Sequence, residues 1–568
     1  MGTQYMLFHC VYTIPVAAVL AVFYYPFFTA RDICKIVFLN ILAVTATIPW
    51  ASYLIRHHIW TYPPDATINR TLFDIPAEEI AFFVLQTCIT SLVYCICTKP
   101  LVQPMYLQSD PLRWVRNLGG IVLLALLLSG AACFVSGGRT TYMGLILLWA
   151  LPVILVQWTL VYPFIVSLPW RATAIPILLP TVYFWLADRS AMAAGFWSIV
   201  PETQLNMVFF LITNVMIVFG LVGFDYAFAL ADYEHLCTGA GPTSRGSVRT
   251  ALRALVQRTQ IQTTVIAELQ DAVARLHAKS QSMFVGSALF QGALRIDLIY
   301  LYSFCHMIDD LIDEARDERE ARHWIAVCRM MLDARTTKQE KSSANGVAHD
   351  FKRHLLQRAV NALPVSRMSA QPLYDLLKGF EMDLAFSDQR RPAFPIATEA
   401  DLDRYAAYVA STVAQLVLDL IHHYHNRAHR YDHEDMARAD RVIGQALQFI
   451  NIARDIHRDA AIGRVYIPTE WLEPAGLTPA NLLHNPTSPA AYQLQTKLLD
   501  KADVHYLAAR DAIERLPPGV REPVRTTVES YVEIGRYLRE RHGHTLATEK
   551  KMRLPLRRRL KVAWLAML

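Results

Sequence analysis

Residues 300–314 read YLYSFCHMIDDLIDE, an apolar, aromatic run that ends in four acids, Asp309, Asp310, Asp313 and Glu314. The run reads as a buried helix, and on a helix Asp309 and Asp313 stand four apart and project from one face. Like charges so placed destabilise a helix unless a cation lies between them. A second pair with the same spacing, Asp455 and Asp459, lies in NIARDIHRD, residues 451–459. A lone acid pair is ordinarily solvated surface. Two pairs, each set in apolar sequence, are a different matter, because four buried carboxylates without cations would be prohibitive. Two helices each offering a DxxxD face make an oxygen-lined cavity suited to Mg²⁺, which keeps most of its waters and shares its other sites with substrate phosphates. The expectation is an enzyme that ionises diphosphates.

At 568 residues the chain is too long for one domain. Its charge is unevenly spread: residues 1–238 carry ten Lys and Arg and eleven Asp and Glu, and the rest carries 45 and 38. The first part is apolar and charge-poor, and the second has the charge density of a soluble domain. A formal net charge of +6, with no basic run interleaved with aromatics, argues against a nucleic-acid partner. The nine cysteines lie mostly in the apolar part without CxxC spacing and read as reduced core thiols.

The apolar part predicts about seven membrane spans, near residues 5–28, 35–55, 79–98, 118–136, 141–167, 172–187 and 206–231. Most reach the ~20 residues that cross a bilayer as helix. The first lacks a basic leader and reads as a retained span rather than a cleaved signal. Seven spans put the two ends on opposite sides. With a cytosolic C-terminal part, the cytosolic loops carry Arg31, Lys35, Lys99, Arg113, Arg116 and Arg171, against Arg56, Arg70, Arg139 and Arg189 outside. That is the order the positive-inside rule favours. The expectation is an integral, multi-pass protein.

Two span openings look alike. FDIPAEEIAFFVLQT (residues 73–87) opens the third span and SIVPETQLNMVFFLITN (residues 198–214) the seventh. Each joins a Pro and an acid to Phe-Phe and runs on into the membrane, as in a repeat of two three-span units with the fourth span as connector; such repeats place sites at their interface. Glu78 and Glu79 stand at the edge of a span, where acids are costly without a function or a partner. They either favour the helix N-terminus by charge or, in apolar surroundings, serve as a general acid.

CTGAGPTSRGSVRT (residues 237–250) reads as a linker. The organisation expected is a membrane part over 1–235, a linker over 236–250 and a helical domain over 251–568. In that domain the periodicity predicts helices near 250–277, 283–314, 317–333, 348–362, 370–386, 401–427, 434–460, 488–515 and 518–542. The tail KKMRLPLRRRLKVAWLAML (residues 550–568) reads either as a strip for an anionic membrane surface or as a solvated end. HHYHNRAHRYDH, with His422, His423, His425, His429 and His433, lacks acids or thiols at ligand spacing and is a poor zinc site. No GxGxxG follows a strand and there is no Walker loop, so no bound dinucleotide or nucleoside triphosphate is indicated.

HAKS (277–280), LYSFCHMIDDLIDE (301–314), GFEMDL (379–384), LDRYAAYVASTVA (402–414) and QFINIARDIHRDAAIGRVYIP (448–468) resemble, in order, the motifs of phytoene and squalene synthases. The likeness covers about residues 270–545. FDIPAEEIAFFVLQTCITSLVY (73–94) resembles the membrane-embedded carotenoid cyclase domain fused to phytoene synthase in fungi, so the whole chain resembles the bifunctional lycopene cyclase/phytoene synthase family. The resemblance implies an all-α protein, a polytopic membrane helix bundle followed by an all-α isoprenoid-synthase bundle whose DxxxD helices face each other across a cavity. It implies Asp309, Asp313, Asn451, Asp455 and Asp459 on the metal side, with Mg²⁺ as the cofactor. Lys279, Gln448, Arg454, Arg464 and Tyr466 would contact diphosphate or line the pocket, and Tyr405 and Tyr531 would be cavity tyrosines. The implied reactions join two geranylgeranyl diphosphates to phytoene and close the ends of lycopene by protonation at Glu78 or Glu79. The bilayer and later carotenoid enzymes are the prospective partners.

The chain departs from the pattern twice. His306 stands where the family usually has Arg and lacks its rigid fork. In the second repeat Leu205-Asn206 stand where the first has its acid pair, and the nearest acid is Glu202. The expectation there is an impaired or absent cyclisation, with a synthase merely anchored by its membrane half as the alternative. A squalene-type synthase or a terpene cyclase would share the second domain's fold. A seven-span retinal protein would need a lysine within a span, and Lys35 and Lys99 lie at span ends.

Overall fold

The computed structural model describes residues 2–568 except 64, 109–111, 206–209, 239–252, 254–260, 337–350, 388–393, 426–432, 542–551 and 553, with only the backbone at 281, 282 and 433–440. The expected linker lies largely outside the described residues, as do Asn206, Phe209, His429 and the side chain of His433. The chain divides into two compact units, Met1–Gly239 with Ser244–Ile266, and Ala267–Leu568 with Ala240–Thr243.

The first unit holds seven long helices: α1 Gln4–Phe27, α2 Ala30–Arg56, α3 Ala77–Thr98, α4 Arg113–Ser136, α5 Gly138–Ser167, α6 Trp170–Ala193 and α7 Phe210–Thr238. All but α6 are long and apolar enough to cross a membrane, so the described residues offer six such helices rather than seven. The sixth expected span does form a helix, but its uncharged stretch, residues 172–187 between Arg171 and Asp188, is shorter than the ~20 residues a span needs. α2 starts earlier than hydropathy indicates because Thr29 and Asp32 form a capping box. Leu118, Ile121, Leu128 and Val135 of α4 are exposed, as expected of side chains that face lipid.

The two ends of this bundle differ. At one, Lys35 is buried between Asp32 and Asp225, at 3.1 and 3.2 Å. The Tyr94 hydroxyl donates to Asp225 at 2.8 Å, and Arg31 makes a bidentate pair with Asp232, both bonds at 2.9 Å. Each buried charge there has an opposite charge and a hydrogen bond, the condition for tolerating it. At the other end β1, Trp60–Thr61, pairs antiparallel with β4, Ser198–Ile199, Trp60 opposite Ile199. Between β1 and α3 a hairpin of β2, Thr71–Leu72, and β3, Ile75–Pro76, turns on Phe73 and Asp74, whose φ values are 53° and 69°. It delivers Ala77, Glu78 and Glu79 to the first turn of α3. The expected repeat has its counterpart here: α2–β1–α3 and α6–β4–α7 follow one plan, and their strands pair.

The second unit is helical around one core that includes Phe304, Leu332, Leu377, Phe449 and Leu498, each buried. Its main helices are α8 Thr263–Lys279, α9 Gln281–Ser287, α10 Gly292–Asp313, α11 Glu318–Thr336, α12 Phe351–Ala362, α13 Gln371–Leu384, α14 Glu399–Ala406, α15 Thr412–His425, α16 His433–Ala461, α17 Pro489–Glu514, α18 Arg521–Glu540 and α19 Leu556–Met567. The helix expected over 283–314 is divided, because α10 opens at Gly292 with φ +58°. The one expected over 401–427 contains a π turn, Ala407–Ser411, against which α16 packs at Gly444. A β-carbon on Gly444 would stand 2.5 Å from Ser411 Cα, so only glycine fits this approach. The tail forms α19, which lies on α18: Arg558 pairs with Glu533 and with Glu540, and Arg525 Nε donates to the carbonyl of Ala566 at 2.7 Å.

Candidate functional site

In the second unit, α10 carries Asp309 and Asp313 on its last turns, and α16 carries Gln448, Asn451, Asp455 and Asp459 on one face by their three- and four-residue spacing. After α16 a glycine turn at Gly463, φ +79°, brings the chain back as Arg464-Val465-Tyr466. Arg464 Nη2 then donates to Asp313 Oδ1 at 2.7 Å. The same guanidinium draws on the charges of Asp309, Asp459 and Asp383. The two carboxylate ledges therefore meet around one arginine.

Asp383 at the end of α13 is the residue that sequence reasoning missed. It is buried, and it accepts from the Tyr466 hydroxyl at 2.8 Å and from the Tyr405 hydroxyl at 3.3 Å. The rings of Tyr405 and Tyr466 stack at 4.9 Å, with Phe386 edge-on to Tyr466 at 5.2 Å. A single acid has no spacing to betray it. Its only signal is an aspartate at the end of an apolar helix, inside GFEMDL.

The acids lack sufficient positive charge. Burial, together with Asp313, Asp383 and Asp310, pushes Asp309 up to about 7. Burial and then Asp455 push Asp459 up to about 8, and burial pushes Asp383 up to about 6 against the pull of Arg464 and the two tyrosines. Burial and mutual repulsion hold these carboxyls above their ordinary range, a charge imbalance that added positive charge would relieve. Asn451 stands on the same face, and its buried Oδ1 has no hydrogen-bond partner among the described residues. Among the described residues no three acid, His or Cys side chains alone form a metal cage.

The other expected contacts fall nearby. Arg454 lies against Asp455, donating from Nε at 2.9 Å, and Tyr531 lies within reach of both charges. Lys279 pairs with Asp310 at 2.7 Å, beside the first ledge. Gln448 accepts a long bond from Asn451, at 3.5 Å.

The first unit holds a cavity of about 560 Å³ at its strand-paired end. Its walls are largely aromatic, with Trp50, Trp60, Phe82, Phe83, Trp149 and Trp197 among them, and it has two carboxylates, Glu79 and Asp188. Tyr5 donates to Glu79 Oε2 at 2.6 Å. Glu78 does not line the cavity; its Oε1 accepts the Ile68 N–H at 2.7 Å. Glu202 is exposed and does not stand in for the absent acid pair of the second repeat. Asp188 also escaped sequence reasoning, which took residues 172–187 as a span and stopped one residue short.

A family profile described as squalene/phytoene synthase matches residues 276–563. Over its full length the chain is 41% identical to a bifunctional lycopene cyclase/phytoene synthase of Arthroderma gypseum, covering all of both chains. It is 43% identical to one of Gibberella fujikuroi, again over all of both, and 49% identical to one of Aspergillus niger over 78% of this chain and 77% of that one.

Proposed function

The chain belongs to the family of bifunctional lycopene cyclase/phytoene synthases, and we propose from that premise that its two units divide the two reactions between them. The second unit condenses two geranylgeranyl diphosphates head to head, through a cyclopropyl intermediate, to phytoene. The first unit closes the ends of lycopene toward β-carotene. One observation carries the synthase reading: Asp309, Asp313, Asp459 and Asp383 gather about Arg464 with less positive charge than they need.

Asp309 and Asp313 on one side, and Asn451, Asp455 and Asp459 on the other, would hold Mg²⁺. When bound, it supplies positive charge to a departing diphosphate. Arg464 and Arg454 add fixed charge at the same rim, with Lys279 and Gln448 beside them. The allyl cation left behind is stabilised by the faces of Tyr405, Tyr466 and Tyr531 through cation–π attraction, and Asp383 holds two of those rings in place. Replacing both Asp309 and Asp455 by Ala and feeding C20 diphosphate tests this; phytoene formation should vanish, and substantial product would refute the assignment. Fed C15 diphosphate and a hydride donor in parallel, a wild-type chain that makes squalene in preference to phytoene from the C20 substrate would favour the sister reaction.

In the first unit Glu79 is the general acid, because it is the member of its pair that reaches the aromatic cavity. The protein is an integral, multi-pass membrane protein with the synthase unit in the cytosol, where phytoene passes into the bilayer toward later carotenoid enzymes. The Leu205-Asn206 substitution favours a second reading, in which the first unit is only an anchor. Cells making lycopene decide between them: β-rings formed by the wild-type chain sink the anchor reading.

A further inference from the structure

Closing a ring on lycopene takes two proton transfers. A proton added to the terminal alkene leaves a tertiary cation. A neighbouring alkene attacks it, making the ring bond and moving the charge onto the ring, and the ring then loses a proton from the adjacent carbon to restore an alkene. Nothing is oxidised, but the site needs an acid and a base. Resting on the cyclase reading above, we propose that Asp188 is that base, the catalytic partner of Glu79.

Asp188 is 7% exposed and lines the same cavity as Glu79. Trp197 Nε1 donates to its Oδ1 at 3.0 Å. Its other oxygen, Oδ2, is buried with no hydrogen-bond partner among the described residues. Arg189 also lines the cavity but gives this oxygen no hydrogen bond among the described residues; a carboxylate oxygen so buried is costly unless positive charge arrives there, and the cyclising cation is such a charge. The indole N–H fixes one oxygen and leaves the lone pairs of the other for the ring proton.

The repeat explains why this acid went unnoticed. Aligning Trp60 with Trp197 places Ala51 in the first half where Asp188 stands in the second, each nine positions ahead of its tryptophan. Aligning Phe82-Phe83 with Phe209-Phe210 places Asn206 where Glu79 stands. Each half has therefore kept one acid at a position its twin has lost, and the strand pair β1–β4 brings the halves together at the cavity. The segment from tryptophan to Phe-Phe is shorter in the second half, whose described residues form no counterpart of the β2–β3 hairpin.

The test expresses the full chain in a bacterium that makes lycopene, as wild type, Glu79→Gln, Asp188→Asn and Asp188→Glu, with phytoene output from the same chain as the control for expression. Asn keeps an oxygen for the Trp197 N–H but cannot take a proton. The expected result is at least a tenfold loss of β-rings in Asp188→Asn with phytoene unchanged, any residual rings shifted toward isomers that lose a different proton, and partial recovery in Asp188→Glu. Wild-type β-ring yield in Asp188→Asn, or a loss that Asp188→Glu does not recover, overturns the role of Asp188 while the cyclase reading stands. No β-rings from the wild-type chain overturn the cyclase reading and Asp188 with it; normal rings from Glu79→Gln overturn the acid–base pair while the cyclase reading stands.

Discussion

Arg464 and Asp313, 151 positions apart, are joined by a hydrogen bond of 2.7 Å from Nη2 to Oδ1. One arginine on the loop after α16 thus anchors the acid ledge of α10, and its charge also reaches Asp309, Asp383 and Asp459. Lysine keeps that charge but not the planar fork. Arg464→Lys should lower phytoene formation by ~100-fold, the scale of losing one fixed donor to developing charge. Steady-state rates with C20 diphosphate measure it, and a rate within twofold of wild type contradicts the role.

Asp383 is satisfied by two tyrosines, and the closer bond comes from Tyr466. Tyr466→Phe removes it and leaves the ring stack. A hydrogen bond to a carboxylate contributes about 1.5–3 kcal/mol, so thermal unfolding in detergent should begin several degrees lower, with activity reduced but present.

Chelation separates the units. Stripping divalent cations should stop phytoene formation, because diphosphate departure depends on them. It should leave β-ring formation from supplied lycopene unaffected, since no diphosphate leaves in that reaction. Parallel loss of both products would argue against the division of labour.

Glu78 and Glu79 adjoin in sequence but have different surroundings. Glu78→Gln retains an oxygen for the Ile68 N–H and should cost less than about fivefold in β-rings, within ~1 kcal/mol. Glu79→Gln should abolish them. Carotenoid analysis of the two strains decides, and the reverse ranking refutes the assignment of the acid.

Gly444 packs against the backbone of the π turn that follows Tyr405. A methyl group would meet Ser411 Cα and N at 2.5 and 2.6 Å, atoms that cannot swing aside. Gly444→Ala should destabilise the synthase unit by about 3 kcal/mol, the upper range for overpacking, seen as lower expression and earlier unfolding.

The DxxxD pairs were legible because spacing on a helix is a strong signal; α16 matches its expected bounds to within one residue, and α10 ends one residue from expectation though it starts nine later. The π turn at Ala407–Ser411 was not legible, since it depends on Gly444, a neighbour distant in sequence; the break at Gly292 rests on one positive φ that periodicity does not reveal. Asp383 and Asp188 escaped for a shared reason: each is a solitary acid whose meaning comes from what folds against it. The short turns at Thr469–Leu472 and Pro479–His484 are below the length at which periodicity can be seen. The sixth expected span forms a helix, Trp170–Ala193, whose apolar stretch is bounded by Arg171 and Asp188 and so falls short of the six most apolar helices.

The pairing of β1 with β4 has an evolutionary corollary. A gene that doubles and then loses complementary letters from each copy can no longer discard either, because what remains is shared ownership of one workshop. The copy without a recognisable signature is then under the same selection as its twin, and a survey that scores motifs alone would count it as dead weight.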